Sequence, residues 1–408
     1  MSAVNKITDQ IKKMKAEDWK SIIKLGLSFI PGKIWKLASP KMWVVSEYES
    51  LARDNGYWFF KYLREKHKDR KVYYPIDFSS ADYKLIKKLG NVIPFGGWKH
   101  YLLFWAADVY IGTTKCYGFP YRRICEDLVQ WKLTGFKYVF LNHGFTRGYS
   151  SIVDAKETNY QLLFTCSEKD ADIIRKDNGQ SPKIMRCPGY PRHDTLNDDI
   201  LNKKQILIMP TWRKWIDYRL LTTDEQKKEN MQKFFASKYY NCLKGLVNNK
   251  EFISFLDKND LNVVFYFHEY AQKYSKYIKS SSPRIKVGMT SEYSIQDLLR
   301  ESALLITDYS SVVYDFAYMY KPVMYYQFDV EEFEKYQYAP GESFSYDEDG
   351  FGEVFFDEDK LVEAVKTSYE GGFTMDEKYR KRVDEFFAHH DNGNCDRVYK
   401  EIIKIARK

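Results

Sequence analysis

Leu304-Leu305-Ile306-Thr307-Asp308-Tyr309-Ser310-Ser311-Val312-Val313-Tyr314-Asp315-Phe316-Ala317 reads as a buried strand, a two-residue turn and a helix that opens on two adjacent serines. A helix start presents unpaired backbone N–H groups and the positive end of the helix dipole, so it favours an anion. Small hydroxyl residues let a phosphate approach the backbone and add donors of their own. An ordinary serine cap gives the same pattern, so the surrounding chain has to separate the two readings.

Outward from this stretch, apolar strand-like runs alternate with amphipathic helix patterns. The spacing predicts strands at 43–45, 72–74, 109–111, 138–141 and 162–165, then a second series at 205–209, 263–267, 285–287, 303–306 and 323–326. Helical patterns fill the gaps, for example 56–66, 121–132, 168–176 and 359–368. Strands separated by helices at this interval predict parallel sheets with right-handed crossovers. A length of 408 residues is too great for one ordinary core. The expected fold class is therefore α/β, with two doubly wound, Rossmann-like domains. Pro188-Gly189-Tyr190-Pro191 and the polar stretch to 204 separate the two series. The expected division is an arm at 1–41, a domain at 42–190 and a domain at 191–408.

Composition is that of a folded soluble protein, 44% hydrophobic and 29% charged. The aromatic share of 17% suits large interfaces or carbohydrate-like ligands without deciding between them. Six cysteines are scattered with no C-x-x-C pair, which argues against a zinc site or disulfide framework and fits a reducing cytoplasm. Neither a G-x-G-x-x-G nor a Walker-type loop is present.

The net charge of +8 is uneven. Residues 1–41 carry nine lysines against Asp9, Glu17 and Asp18, a net of +6 that leaves +2 for the remainder. Ile7, Ile11, Met14, Trp19, Ile22, Ile23, Leu25, Leu27, Phe29, Ile30, Ile34, Trp35 and Leu37 supply the apolar positions there, many at helical spacing, with Pro31-Gly32 expected to break the helix in two. No apolar run is long enough to span a bilayer, and no signal-peptide pattern is present. A basic amphipathic segment suits an anionic membrane surface; a helix packed on its own domain, or on a partner, fits the same pattern. Nucleic acid is disfavoured because the rest of the chain is nearly neutral.

In open parallel sheets, ligands bind beyond the carboxyl ends of the strands. Those ends carry Asn142-His143-Gly144, Pro210-Thr211-Trp212-Arg213, His268-Glu269 and Thr307-Asp308-Tyr309-Ser310-Ser311. Two histidines, an arginine and a phosphate-suited helix start thus fall where a cleft would collect them, as a site for a phosphate-rich ligand beside a general base.

The set resembles a known family. Thr307-Asp308-Tyr309-Ser310-Ser311, then Asp315-Phe316-Ala317 and Lys321-Pro322-Val323, is similar to the signature of the CDP-glycerol glycerophosphotransferases of the teichoic acid polymerase type. His143-Gly144, Gly189-Tyr190-Pro191-Arg192-His193-Asp194, Pro210-Thr211-Trp212-Arg213 and His268 match further elements of that family, in order, between about 43 and 370. The chain departs from it at Phe145-Thr146-Arg147-Gly148 after the first histidine, and at Glu269 after the second. Those departures, with Asp54-Asn55-Gly56, bear on acceptor and alditol specificity rather than on reaction type.

The resemblance implies a GT-B architecture, two Rossmann-like domains facing a cleft. It implies transfer of an alditol phosphate from CDP-glycerol, or from CDP-ribitol, to a hydroxyl of a wall or capsule polymer or lipid-linked primer, with release of CMP. On that reading His143 is the general base and Gly144 lets the chain turn tightly beside it. His268 hydrogen-bonds or protonates the diphosphate. Ser310 and Ser311 hold it at the helix start, with Arg213, Thr211 and Thr307 as further phosphate ligands. Asp308 caps local backbone or meets the ribose, and Asp315 is a supporting residue. No metal ligand is assigned, no cofactor is required, and Mg²⁺ stays open. The arm at 1–41 would hold the enzyme on the cytoplasmic face of the membrane as a peripheral protein. Two rivals stand beside this reading. One is a GT-B glycosyltransferase using a sugar nucleotide, for which Pro340-Gly341-Glu342 is too irregular a ribose motif. The other is a non-catalytic membrane-surface scaffold that binds polymer, which would need neither histidine.

Overall fold

The computed structural model describes residues 14–196, 202–219, 221–289, 292–337 and 344–406. Ile7, Ile11 and Pro340-Gly341-Glu342 lie outside the described residues. The chain divides into two compact units, Met1–Asp194 with Asp391–Lys408, and Thr195–His390.

In the first unit, β1 (Trp43–Ser46), β2 (Val72–Ile76), β3 (Val92–Pro94), β4 (Val109–Gly112), β5 (Lys137–Phe140), β6 (Leu162–Phe164) and β7 (Met185–Arg186) form one sheet in the order β3-β2-β1-β4-β5-β6-β7. Every pairing is parallel. Helices cover both faces, so central strands such as β1 are buried along their whole length and read as continuous apolar runs rather than alternating ones. In the second unit, β8 (Asn202–Ile208), β9 (Asn262–Tyr266), β10 (Ile285–Gly288), β11 (Ser302–Thr307), β12 (Val323–Tyr326) and β13 (Gly352–Phe355) run β10-β9-β8-β11-β12-β13, again all parallel. Both orders reverse direction once, between β1 and β4 and between β8 and β11. At such a switch point the crossovers leave to opposite faces and open a crevice beyond the strand ends. The fold class and every expected strand are present. The edge strands β3, β7 and β13 went unread because two to four residues carry no usable periodicity.

Two expectations about organisation are corrected. The last helix, Asn394–Ala406, belongs to the first unit and not to a domain at 191–408. Its apolar face, Cys395, Val398 and Ile402, joins the core with Trp43 and Phe59. Asp194 caps its start by accepting from the N–H groups of Asn394 (2.8 Å) and Cys395 (2.9 Å).

The arm is likewise part of the first unit, as one continuous helix, Ala16–Ala38, that carries Pro31 inside it. The helix persists because it packs on the helix Trp98–Ala106. Gly32 lies so close that a Cβ there would stand 2.7 Å from Cβ of Trp105. Trp105 Nε1 donates to Leu25 O (3.0 Å), and Tyr101 donates to Ser21 (3.1 Å). Tertiary packing thus outweighs the cost of an internal proline. The opposite face exposes Trp19, Ile23, Leu27, Ile30, Ile34 and Leu37. Among the described residues no helix is long and apolar enough to cross a membrane.

Candidate functional site

The first unit places His143 just past β5, next to the switch point. The turn that presents it is made by Asn142, in the left-handed region at φ 64°. Asn142 Oδ1 accepts from the N–H of His143 (2.8 Å). The tight turn expected at Gly144 is therefore taken two residues earlier, by a residue whose side-chain carbonyl accepts from the backbone N–H that follows it. Thr146 N–H then donates to Asp170 (3.1 Å), which Tyr190 also holds (2.9 Å).

The imidazole is 67% exposed, and its Nδ1 lies 2.6 Å from Oδ2 of Asp54. Asp54 was not read as a site residue. It stands at the N-cap position of the helix Asn55–Lys66, where an aspartate would ordinarily bond the helix start, yet its side chain makes no cap bond. Glu47 caps instead, accepting from the N–H groups of Arg53 (3.0 Å), Asp54 (3.0 Å) and Tyr57 (2.6 Å). Gly56 leaves room for it; a Cβ there would stand 2.9 Å from Cγ of Glu47. With the cap supplied by Glu47, the Asp54 carboxylate turns to His143 and to Arg192, whose Nη1 is 2.7 Å away. Arg192 also donates to the His143 carbonyl (2.6 Å). Asn55 ties the same corner, donating to Asn142 O (2.9 Å) and accepting from Arg192 N–H (3.2 Å). Asp54-Asn55-Gly56 and Arg192 thus form one support for His143; of these, Arg192 lay in a matched family element, while Asp54-Asn55-Gly56 stood only among the features that bear on specificity.

The electrostatics follow from burial and pairing. Burial works to raise the Asp54 carboxyl, but the His143 and Arg192 charges outweigh it and hold Asp54 below the usual carboxylate range. Glu47 goes the other way: burial, reinforced by the Asp54 charge, pushes it up to about 8 against its backbone donors. An ionised Asp54 accepts the Nδ1 proton of His143, which leaves the lone pair on Nε2 (a tautomer assigned from the hydrogen bond). That is the arrangement a general base requires.

In the second unit, Thr307 ends β11 and residues 308–311 follow it, while residues 209–213 follow β8, on the two sides of the switch point. Ser310 and Ser311 stand at the start of the helix Val312–Tyr318, and Ser310 Oγ accepts from Val312 N–H at 3.4 Å. Two turns of helix give a small dipole, so an anion here is bound by N–H and hydroxyl donors more than by the macrodipole.

Arg213 does not serve as expected. Its side chain is fully buried, 2.8 Å from Asp308 on one side and 2.8 Å from Asp329 on the other. The rings of Tyr239, Tyr309 and Phe333 surround it at 4.7–5.3 Å. Burial, reinforced by the Asp308 charge, pushes the Asp329 carboxyl up despite Arg213. Asp308 also accepts from the N–H groups of Thr211 (2.8 Å) and Tyr309 (2.5 Å), the backbone role expected of it. Thr307 is buried and donates to Met209 O (2.8 Å), so its hydroxyl is likewise committed within the fold. Asp315 is buried on the first turn of its helix. Thr211 Oγ1 is buried with no hydrogen-bond partner among the described residues.

His268 follows β9. Its Nδ1 accepts from Tyr270 N–H at 3.2 Å. The neutral ring then carries its proton on Nε2, so the tautomer is opposite to that of His143 and suits donation to an oxyanion. Among the described residues no cluster of three or more His, Cys, Asp or Glu side chains is placed to hold a metal.

The chain is similar to known proteins. The family described as CDP-Glycerol:Poly(glycerophosphate) glycerophosphotransferase matches residues 35–404. The minor teichoic acid biosynthesis protein GgaB of Bacillus subtilis is 33% identical over 368 residues, which cover 89% of this chain and 40% of that protein. The teichoic acid ribitol-phosphate polymerase TarL of Staphylococcus aureus is 25% identical, over 70% of this chain and 49% of that one. The chain thus spans about half the length, or less, of these relatives. A structure of the wall teichoic acid polymerase TagF superposes with a TM-score of 0.65 at 15% identity, over 97% of this chain and 98% of that one. The shared fold is GT-B-like, and the chain belongs to the CDP-glycerol:poly(glycerophosphate) glycerophosphotransferase family.

Proposed function

We propose that this chain transfers an alditol phosphate from a CDP-alditol to a hydroxyl of a teichoic acid or capsule polymer, releasing CMP. Glycerol phosphate is the first choice of group, from the family description; ribitol phosphate follows from the name of TarL. The observation that carries the reading is the Asp54–His143 pair, 2.6 Å apart, with an exposed imidazole. A binding scaffold has no use for a partly buried carboxylate and a buried arginine spent on fixing one ring.

In the proposed reaction the acceptor oxygen attacks the alditol-bearing phosphorus and gives its proton to Nε2 of His143. The new P–O bond replaces the bond to CMP, which departs. Asp54 stabilises the imidazolium that forms and stays ionised itself. His268, through Nε2–H, and Ser310 and Ser311 meet the diphosphate, so that charge is stabilised by preorganised donors. The arm is proposed to rest on anionic lipid on the cytoplasmic face through its exposed apolar face, which brings the enzyme to a lipid-linked acceptor.

Mass-spectrometric assay of CMP release tests the reading, with CDP-glycerol, CDP-ribitol and UDP-sugars offered in parallel over a membrane-derived acceptor. CMP from one CDP-alditol supports it and names the donor. UDP release would move the chain to the glycosyltransferases, and no release from any donor with no CDP-alditol binding would sink the reading.

A further inference from the structure

With Arg213 enclosed by two carboxylates, the donor's diphosphate needs another cation in the second unit, since two phosphates leave more charge than hydroxyl and N–H donors neutralise well. Arg219 has the geometry of a positioned phosphate ligand. Its Nε and Nη2 are engaged by the Asp217 carboxylate at 2.6–3.1 Å. Its guanidinium carbon lies over the Tyr270 ring, 3.3 Å from the centroid, with the Trp212 ring centroid at 5.1 Å. Trp212 meets Tyr270 edge to face at 5.5 Å. The Asp217 carboxylate and the two neighbouring rings hold the guanidinium in place. Asp217 engages Nε and Nη2 only, Tyr270 adds a side-chain hydrogen bond, and the side chain is 36% exposed.

The same tyrosine ties Arg219 to the reaction site. Tyr270 packs on the His268 ring at 4.8 Å and donates its N–H to His268 Nδ1. Trp212 immediately follows Thr211, whose N–H is held by Asp308 at the switch point. Arg219 is therefore linked through Tyr270 to the histidine whose Nε2 carries the proton, on the strand-end side of β8 and β9. We propose that Arg219 is the guanidinium that binds the diphosphate of the nucleotide donor, with Asp217, Tyr270 and Trp212 as the clamp that orients it. The assignment rests on the CDP-alditol reading. A lysine would keep the charge there but lose both the fork to Asp217 and the stacking.

The test is the dissociation constant of CDP-glycerol and CDP-ribitol for the full chain and its Arg219→Ala and Arg219→Lys variants, measured by calorimetry without acceptor. Cytidine serves as a phosphate-free control, and thermal melting reports on folding. The expected result is a loss of roughly 10- to 100-fold in donor affinity for Arg219→Ala, with Arg219→Lys nearer to alanine than to wild type. Cytidine affinity and melting temperature should stay as they are. An unchanged donor Kd in folded Arg219→Ala overturns the assignment while leaving the CDP-alditol reading intact. So does a defect confined to the KM of the polymer acceptor, which would put Arg219 on the acceptor's phosphates. Failure of the wild-type chain to bind any CDP-alditol overturns both.

Discussion

His143 and His268 both follow the carboxyl end of a parallel strand, and they are wired in opposite senses. In the first unit Nδ1 meets the carboxylate of Asp54, so the ring donates there and keeps a lone pair on Nε2. In the second Nδ1 accepts a backbone N–H, so the neutral ring presents a proton on Nε2. One is set to take a proton and the other to give a hydrogen bond. The arginines differ in the same instructive way. Arg192 shares one aspartate with a histidine and leaves that histidine exposed, whereas Arg213 lies between two aspartates and is sealed. The cation that shares one carboxylate leaves its histidine open to solvent; the cation with two carboxylates is part of the core.

The largest effect should come from the sealed arginine. Arg213→Ala leaves Asp308 and Asp329 facing each other without a counter-charge, and removing one partner of a buried ionic group costs roughly 3–5 kcal/mol. Chemical denaturation should show the second unit destabilised by that amount, with the switch-point loops lost to nucleotide binding. A variant that keeps its stability and only weakens donor binding would restore Arg213 as a ligand and erase the contrast with Arg192.

Asp54→Asn comes next. Turnover should fall by roughly 10²- to 10⁴-fold, because an amide no longer fixes the Nδ1–H tautomer. The sign of the pH effect follows from pairing: the His143 charge depresses Asp54, so by reciprocity the Asp54 charge favours protonated His143. Activity requires the neutral ring, so removing that charge should move the acid limb of the rate profile to lower pH. A profile with the wild-type limb would make Asp54 a structural residue only.

The smallest effect concerns the arm. Deleting it would strip the helix Ala16–Ala38 from Trp105 and open the core, so substitution on the exposed face is the cleaner probe. Leu27, Ile30 and Ile34 changed together to serine should lower partition onto anionic vesicles severalfold, with turnover on a soluble acceptor unaltered. Equal vesicle binding would assign that face to a protein partner instead.

Legibility in the sequence followed the physics of each feature. The strands were legible because buried parallel strands are apolar end to end, as in Leu304-Leu305-Ile306, and the strand-end residues then followed from topology. Burial of polar side chains was not legible: nothing in Pro210-Thr211-Trp212-Arg213 reveals that Asp329, 116 residues further on, encloses the guanidinium. Asp54 was hidden for a related reason, since an aspartate before a helix reads as a cap until Glu47 is seen to hold that position. Pro31 was misread because helix propensity is local, while the helix is held by Trp105 and Tyr101 from elsewhere in the chain.

The central claim is that His143 takes the acceptor's proton while the donor is held by other groups. CMP release and CDP-alditol affinity in His143→Ala, measured side by side with wild type, test it most directly. The imidazole is mostly exposed, so the variant should melt as wild type does, bind the CDP-alditol with an unchanged Kd and lose CMP release by roughly 10³-fold or more. Full CMP release from a folded His143→Ala chain would contradict the account and place the base elsewhere.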